Sequence, residues 1–270
     1  LDQAMEMDGG EGMAVQRLVA LEAGQLAVWS GRYDDADRHL QRALQLAERL
    51  HNETGRASAV RLLGQTAHHR GDFARAEARY RDAAATARRM NRRVHYSVAL
   101  ADVAMVLPPQ GRLDEAVALL DEAIALGHGW GRSLDVQAAL IVRGLVHIDR
   151  GDLPKAHEDL AAAAVLTDDT DYRVLAFGAW AIAAALSGDT IGAAGHADAV
   201  LAALRAAPAD ARAHRHATLV AGDLHDVAGA PHIAAELRAR SGRAAPAAVP
   251  AVRRWRLAGD GRAEEHDHAW

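Results

Sequence analysis

The sequence predicts an all-α solenoid, and three observations predict it. Glycines stand at Gly31, Gly71, Gly111, Gly151 and Gly188, at intervals of 40, 40, 40 and 37 residues. Each opens a related phrase: Gly31-Arg-Tyr-Asp-Asp-Ala36, Gly71-Asp-Phe-Ala-Arg-Ala76, Gly111-Arg-Leu-Asp-Glu-Ala116, Gly151-Asp-Leu-Pro-Lys-Ala156 and the weaker Gly188-Asp-Thr-Ile-Gly-Ala193. A sixth copy, Gly229-Ala-Pro-His-Ile-Ala234, is weaker still. Hydrophobic residues make up 50% of the 270-residue chain, mostly Ala, Leu and Val with only two Phe, which favours closely packed helices over sheets.

The phrase is a helix–turn–helix. Gly ends one helix in a left-handed conformation that other residues reach only with strain. Asp72, Asp152 and Asp189 follow as N-cap candidates for the next helix. Tyr33, Phe73, Leu113 and Leu153 pack in the turn, and Ala36, Ala76, Ala116 and Ala156 are small where two helices touch. Pro154 falls in a first turn, where its missing N–H costs little.

Taken in order, the first helices of the pairs (A) are expected near residues 13–30, 56–70, 94–107, 134–150, 172–187 and 209–222. The second helices (B) are expected near 33–50, 73–90, 112–126, 153–166, 190–206 and 231–241. Pro108 and Pro109 end the third A helix early, since neither can donate and Leu107 is pushed from helical geometry. Extra length falls at His51–Gly55, Asn91–Val94 and Gly127–Ser133. After Gly242, Pro246, Pro250 and Gly259–Gly261 break the period, so 1–241 reads as the repeat domain and 242–270 as a tail or linker.

This pattern resembles the tetratricopeptide repeat, with its Leu-Gly-x-x-Tyr, then Ala, then Phe signature. Seven residues before the turn glycines stand Gly24, Gly64, Ala104, Gly144 and Ala181, and Gly222 fills the same place in the sixth copy. The later large position holds Leu40, Tyr80, Leu120 and Leu160, and the next small one Ala43, Ala83, Ala123 and Ala163. The period of 40 exceeds the family's usual length of about 34, and the family's Trp and closing Pro are missing. Such lengthened copies resemble the sensor arrays of bacterial signal-transduction ATPases and related transcriptional regulators. The resemblance covers roughly residues 13–241 and implies a right-handed tetratricopeptide-like α-solenoid of about six repeats.

It also implies a concave inner wall lined by the A helices. Carried across position by position, that wall would present Gln25, Val28 and Trp29; Arg61, Gln65, His68 and His69; Ala101 and Met105; and Ile141, Leu145, Ile148 and Asp149. Arg61, Gln65 and His68 are spaced i, i+4, i+7 and so share one helix face. A polar stripe beside Trp29 and an apolar wall from Met105 to Ile148 suit a peptide or amphipathic helix, with Trp29 and Arg61 as anchors and Arg61 meeting an acidic or hydrogen-bonding end. The clamp that the family's chaperone-binding members place on a C-terminal carboxylate is absent, because Val98 and Asp102 stand where its second, cationic pair would be.

Other chemistries find less support. The formal net charge of −5 gives no general attraction to nucleic acid or anionic lipid. There are no cysteines, which excludes disulfides and thiolate sites and fits a reducing cytoplasm. The longest uncharged stretch, Val174 to Gly188, falls short of the roughly 20 apolar residues of a membrane span, so it reads as a buried helix. No signal peptide opens the chain, and a start at Leu1 fits a fragment of a longer protein.

No Gly-x-Ser-x-Gly elbow, phosphate-cradling loop or His-Glu-x-x-His helix is present. The Glu264–His268 cluster and the Arg253-Arg254-Trp255-Arg256 patch both read as parts of a solvated tail. The expectation is a non-enzymatic module without cofactor or metal, whose partner is a protein or peptide. Two alternatives stand beside it: a small-effector sensor of a transcriptional regulator, and a biosynthetic enzyme built on the solenoid.

Overall fold

The computed structural model describes residues 10–129, 131, 133–206, 232 and 235. The sixth repeat, the tail and the two clusters in it lie outside the described residues. Ten α-helices and one 3-10 turn are described, and no strand among those residues. They are α1 (Gly10–Trp29), α2 (Tyr33–Arg49), α3 (Glu53–His69), α4 (Phe73–Arg89), α5 (Arg93–Met105), α6 (Leu113–His128), α7 (Ser133–Arg150), α8 (Leu153–Leu166), α9 (Thr170–Leu186) and α10 (Thr190–Ala206). The fold is an all-α tetratricopeptide-like solenoid. The chain divides into two compact units, Leu1–Val106 and Leu107–Trp270.

Within the first unit each helix from α1 to α5 packs on the next, and α1 also touches α3. Within the second, α6 to α10 follow the same rule, and α7 touches α9. A helices (α1, α3, α5, α7, α9) therefore alternate with B helices (α2, α4, α6, α8, α10).

The period of 40 has a simple origin. Helices α2, α3 and α4 are each 17 residues long, and three-residue turns separate them. Two such helices and two turns fill one repeat. Each of the first three repeats thus has two left-handed turn residues rather than one, while α8 and α9 are joined through the extended Thr167 and Asp169. The glycines at 31, 71, 111, 151 and 188 have φ between 72° and 81°. Halfway between the first four lie His51 (φ 49°), Asn91 (φ 52°) and Gly131 (φ 63°), again 40 apart. The segments expected as extra length are these B-to-A turns.

Both turns close helices the same way: the amide after the left-handed residue reaches back five residues, as from Asp72 N to Ala67 O (3.0 Å) and from Asn52 N to Ala47 O (2.8 Å). Asp72, Asp152 and Asp189 cap as expected, accepting from the amides of Arg75, Lys155 and Gly192, and Asn52 and Asp169 cap α3 and α9 likewise.

One local expectation is corrected. α5 does end early, at Met105, and a 3-10 turn spans Pro108–Gln110. The departure falls on Val106 (φ −104°, ψ 0°), whereas Leu107 keeps right-handed helical angles (φ −82°, ψ −37°). A 3-10 turn starting at Pro108 accommodates Leu107 without moving it to extended geometry.

The core repeats with the sequence. A Cβ on Gly64 would come within 2.8 Å of the Tyr80 ring, and one on Gly144 within 2.6 Å of Leu160. The small A-helix position therefore exists to admit the large B-helix residue. Ala36, Ala76, Ala116 and Ala156 are all 0% exposed. Ala156 packs with Ile148, Leu160, Ala179 and Ala183, so Ala156→Leu should overpack this contact and lower stability by about 1–3 kcal/mol. An unchanged urea midpoint would place residue 156 outside the helix contact.

Candidate functional site

In the first unit the A-helix positions identified from the sequence fall into two groups. Trp29 is exposed at 36%, and Gln25, Arg61, Gln65, His69 and Met105 are partly exposed. Val28 and His68 are buried at 3% and 4%. The first group comes from α1, α3 and α5 and keeps surface that a partner can touch.

Arg61 does not present an uncompensated cation. Its Nε donates to Asp102 Oδ2 of α5 at 2.6 Å, and the two side chains are 28% and 12% exposed. Burial pushes the Asp102 carboxyl upward, and Arg61 opposes that shift. The pair ties α3 to α5 and neutralises itself. Of the acidic or hydrogen-bonding end expected to meet Arg61, the acidic role is already filled within the chain by Asp102.

His68 is a core residue rather than a wall residue. Its ring stacks on His69 (centroids 5.6 Å apart, 7° between planes) and meets Phe73 at 6.0 Å, while His69 stacks on Tyr33 at 5.6 Å. The row closes the A-to-B turn. Burial, with His69 as a smaller contributor, pushes His68 down to about 3, so it is neutral at physiological pH. Its Nε2 is buried without a hydrogen-bond partner, as is Gln65 Oε1.

In the second unit, Ile141 and Ile148 are 4% and 7% exposed. Ile148 belongs to the α7–α8–α9 core, against which the partly buried Leu145 packs. The apolar wall expected from Ile141, Leu145 and Ile148 is thus mostly core, because α7 turns these aliphatic residues into the stack. Only Leu145 keeps some surface.

Two features escaped the sequence reading. Arg143 of α7 donates to both Asp159 carboxylate oxygens of α8 (2.8 and 2.6 Å) and to Asp121 of α6 (2.6 Å). Asp159, above all, holds the guanidinium further in its charged form. The other is a chain in which Trp180 Nε1–H donates to His157 Nδ1 at 2.8 Å, and His157 Nε2 meets Ser187 Oγ at 3.2 Å. Because Nδ1 accepts, Nε2 carries the proton, so His157 donates to Ser187 and cannot serve as its base. Ser187 in turn donates to Ala183 O at 2.8 Å. His196 stacks on Trp180 at 3.9 Å. This Ser–His pair is a structural tie among α8, α9 and α10. Sequence separations of 23 and 30 residues carry no signal that could have found it.

Among the described residues no group of three or more His, Cys, Asp or Glu could hold a metal ion, and no helix is long and apolar enough to cross a membrane.

Residues 16–89 match the family model of the tetratricopeptide repeat. No curated protein sequence matches the chain. Among solved structures, the chain is similar to the Rap conjugation gene regulator of plasmid pLS20 in complex with the Phr* peptide (TM-score 0.68, 15% identity, 94% of this chain and 75% of that one). It is also similar to the apo form of RapI (TM-score 0.66, 12% identity, 87% and 84%). A third is a signal-transduction ATPase with numerous domains and a tetratricopeptide-repeat sensor, from Pyrococcus horikoshii (TM-score 0.60, 11% identity, 87% and 37%). At these identities the likeness is one of fold.

Proposed function

We propose that the chain is a protein-interaction module whose A helices α1, α3 and α5 receive a peptide segment or amphipathic helix of another protein. The observation that carries this reading is the partial exposure of Gln25, Trp29, Arg61, Gln65, His69 and Met105 on these three helices of one unit, while their neighbours on the same helices form the core. A repeat cannot bury its own apolar faces, so stacking leaves a long surface of this kind. Trp29 and Met105 supply apolar contact and Gln25 a hydrogen-bonding group. The Arg61–Asp102 pair is already neutralised, with Asp102 buried, so it suits a neutral stretch of partner better than a terminal carboxylate. His68 shapes the turn beneath rather than touching the partner. In the second unit, taken by itself, Leu145 is the one of the three expected aliphatic residues that keeps surface, since Ile141 and Ile148 serve the core. The pLS20 regulator is solved with a peptide, which supports a peptide as the class of partner.

The test starts from a displayed peptide library selected on the intact protein, with affinity of the best binder measured by calorimetry. Trp29→Ala should weaken binding by about 2 kcal/mol, roughly thirtyfold, as truncated aromatic anchors do. Met105→Ala should weaken it less. Selected peptides that bind both variants as tightly as the parent would place the site elsewhere.

A further inference from the structure

The 40-residue period allows the B-to-A turns to be compared position by position. The turn between α2 and α3 carries Glu48, Arg49, Asn52 and Glu53; the turn between α4 and α5 carries Arg88, Arg89, Arg92 and Arg93 at the same places. Two acids and a neutral cap have given way to arginines, and Arg88, Arg89, Arg92 and Arg93 are all exposed. The first turn shows that the fold does not require them. Asn52 caps α3 by accepting from Gly55 N at 2.7 Å, whereas Arg92 gives α5 no side-chain cap and no acid stands in the first turn of that helix. Arg88 and Arg89 end α4, where the helix dipole favours cations; Arg92 and Arg93 open α5, where it opposes them. Little within the first unit answers this charge. Arg89 reaches Glu53 at 2.9 Å, an acid that Arg56 also approaches at 3.6 Å. Arg93 donates to the neutral Asn91 carboxamide. Arg88 lies over the Tyr96 ring, 6.0 Å from its centroid, and neither Arg88 nor Arg92 makes an ion pair among the described residues.

We infer that this turn is a docking surface for a short acidic segment of another protein, whose Asp or Glu carboxylates meet Arg88 and Arg92 while Arg89 and Arg93 add to the positive field. A guanidinium takes a carboxylate through two parallel hydrogen bonds. Gathering four of them at one turn of a chain with net charge −5 concentrates positive charge where an acidic segment can find it. A carboxylate here also relieves the repulsion among the arginines and the cost of cations at the start of α5. A nucleic-acid strand fits less well. It carries a phosphate about every 3.4 Å, so it would run on over Glu53 and Glu48 of the neighbouring turn, which the Arg89–Glu53 bond holds alongside. The ring nearest to hand, Tyr96, is half-buried and already carries Arg88 on its face, which leaves a base little to stack on. The surface shares no residue with the proposed peptide wall, so either can fail without the other.

The probes are fluorescent hexaglutamate and hexaglutamine peptides and an oligothymidylate. Fluorescence anisotropy on the intact protein at low salt should show saturable binding of hexaglutamate that weakens as salt is added, and none of hexaglutamine. Arg88→Glu with Arg92→Glu should weaken that binding at least about tenfold. Arg75→Glu with Arg205→Glu, an equal change of net charge at exposed positions, should leave it within about twofold. Arg92→Asn, which copies the Asn52 cap, should weaken binding while raising the urea midpoint. Circular dichroism should show these variants folded, because they alter exposed positions. The inference is overturned if hexaglutamate shows no saturable binding up to about 1 mM, or if reversing Arg88 and Arg92 weakens it no more than the control does. It is equally overturned if oligothymidylate binds more tightly and loses its affinity through the same reversal, since the turn would then be a nucleic-acid site. If Glu264→Gln, Glu265→Gln and Asp267→Asn together tighten hexaglutamate binding about tenfold, the chain's own acids occupy the turn and the inference fails.

Discussion

Arg143→Ala should lower the unfolding free energy by about 3 kcal/mol, near the lower end for one partner removed from a buried pair. Asp159 is 9% exposed and receives two hydrogen bonds from Arg143, which also reaches Asp121. Removing the guanidinium strands a desolvated carboxylate between α7 and α8, with His147 Nε2 3.8 Å away. Burial holds His147 below its ordinary value, so at neutral pH it is a poor substitute. The double change Arg143→Met with Asp159→Leu should recover most of the loss, because it removes the stranded charge as well. Urea denaturation of the three proteins measures this. Equal stability of Arg143→Ala and the parent would mean that water reaches Asp159.

Acidification from pH 7 to 5 should cost about 2 kcal/mol through His68 alone. The unfolded imidazole, with an ordinary value near 6.5, takes up a proton over that range; the folded one, held down to about 3, does not. The unfolded state binds more protons, so stability falls as pH falls, and the loss continues until the pH reaches the folded value. Fourteen other histidines contribute background, so the informative quantity is a difference. His68→Leu should flatten the stability–pH curve between 7 and 5 by about that amount, whatever its own effect at pH 7. Parallel curves for parent and variant would show that His68 protonates in place.

Much of the fold was legible because its turns recur in residues that only a few types can fill. The glycines at 31, 71, 111, 151 and 188 need φ near 75°, and that requirement marked each A-to-B turn. The B-to-A turns were missed because His51, Asn91 and Gly131 adopt the same conformation with three different residue types. The Gly64–Tyr80 and Gly144–Leu160 contacts were readable as a pattern of small and large positions.

The candidate site was less legible. Helical spacing places Arg61, Gln65 and His68 on one face, but it does not say which of them the neighbouring helices cover. Asp102, 41 residues away, changes what Arg61 offers, and the row of Tyr33, His69 and Phe73 takes His68 into the core. Ile141 and Ile148 were read as wall because the family pattern assigns those positions outward, whereas aliphatic side chains on α7 gain more from burial.

Hydrogen–deuterium exchange of the protein with and without a library-selected peptide tests the interaction reading most directly. The account predicts that added protection concentrates in the stretches of the A helices that carry the wall, residues 25–29, 61–69 and 101–105, and largely spares α2 and α4. Protection confined to α2 and α4, with the A helices unchanged, would contradict it.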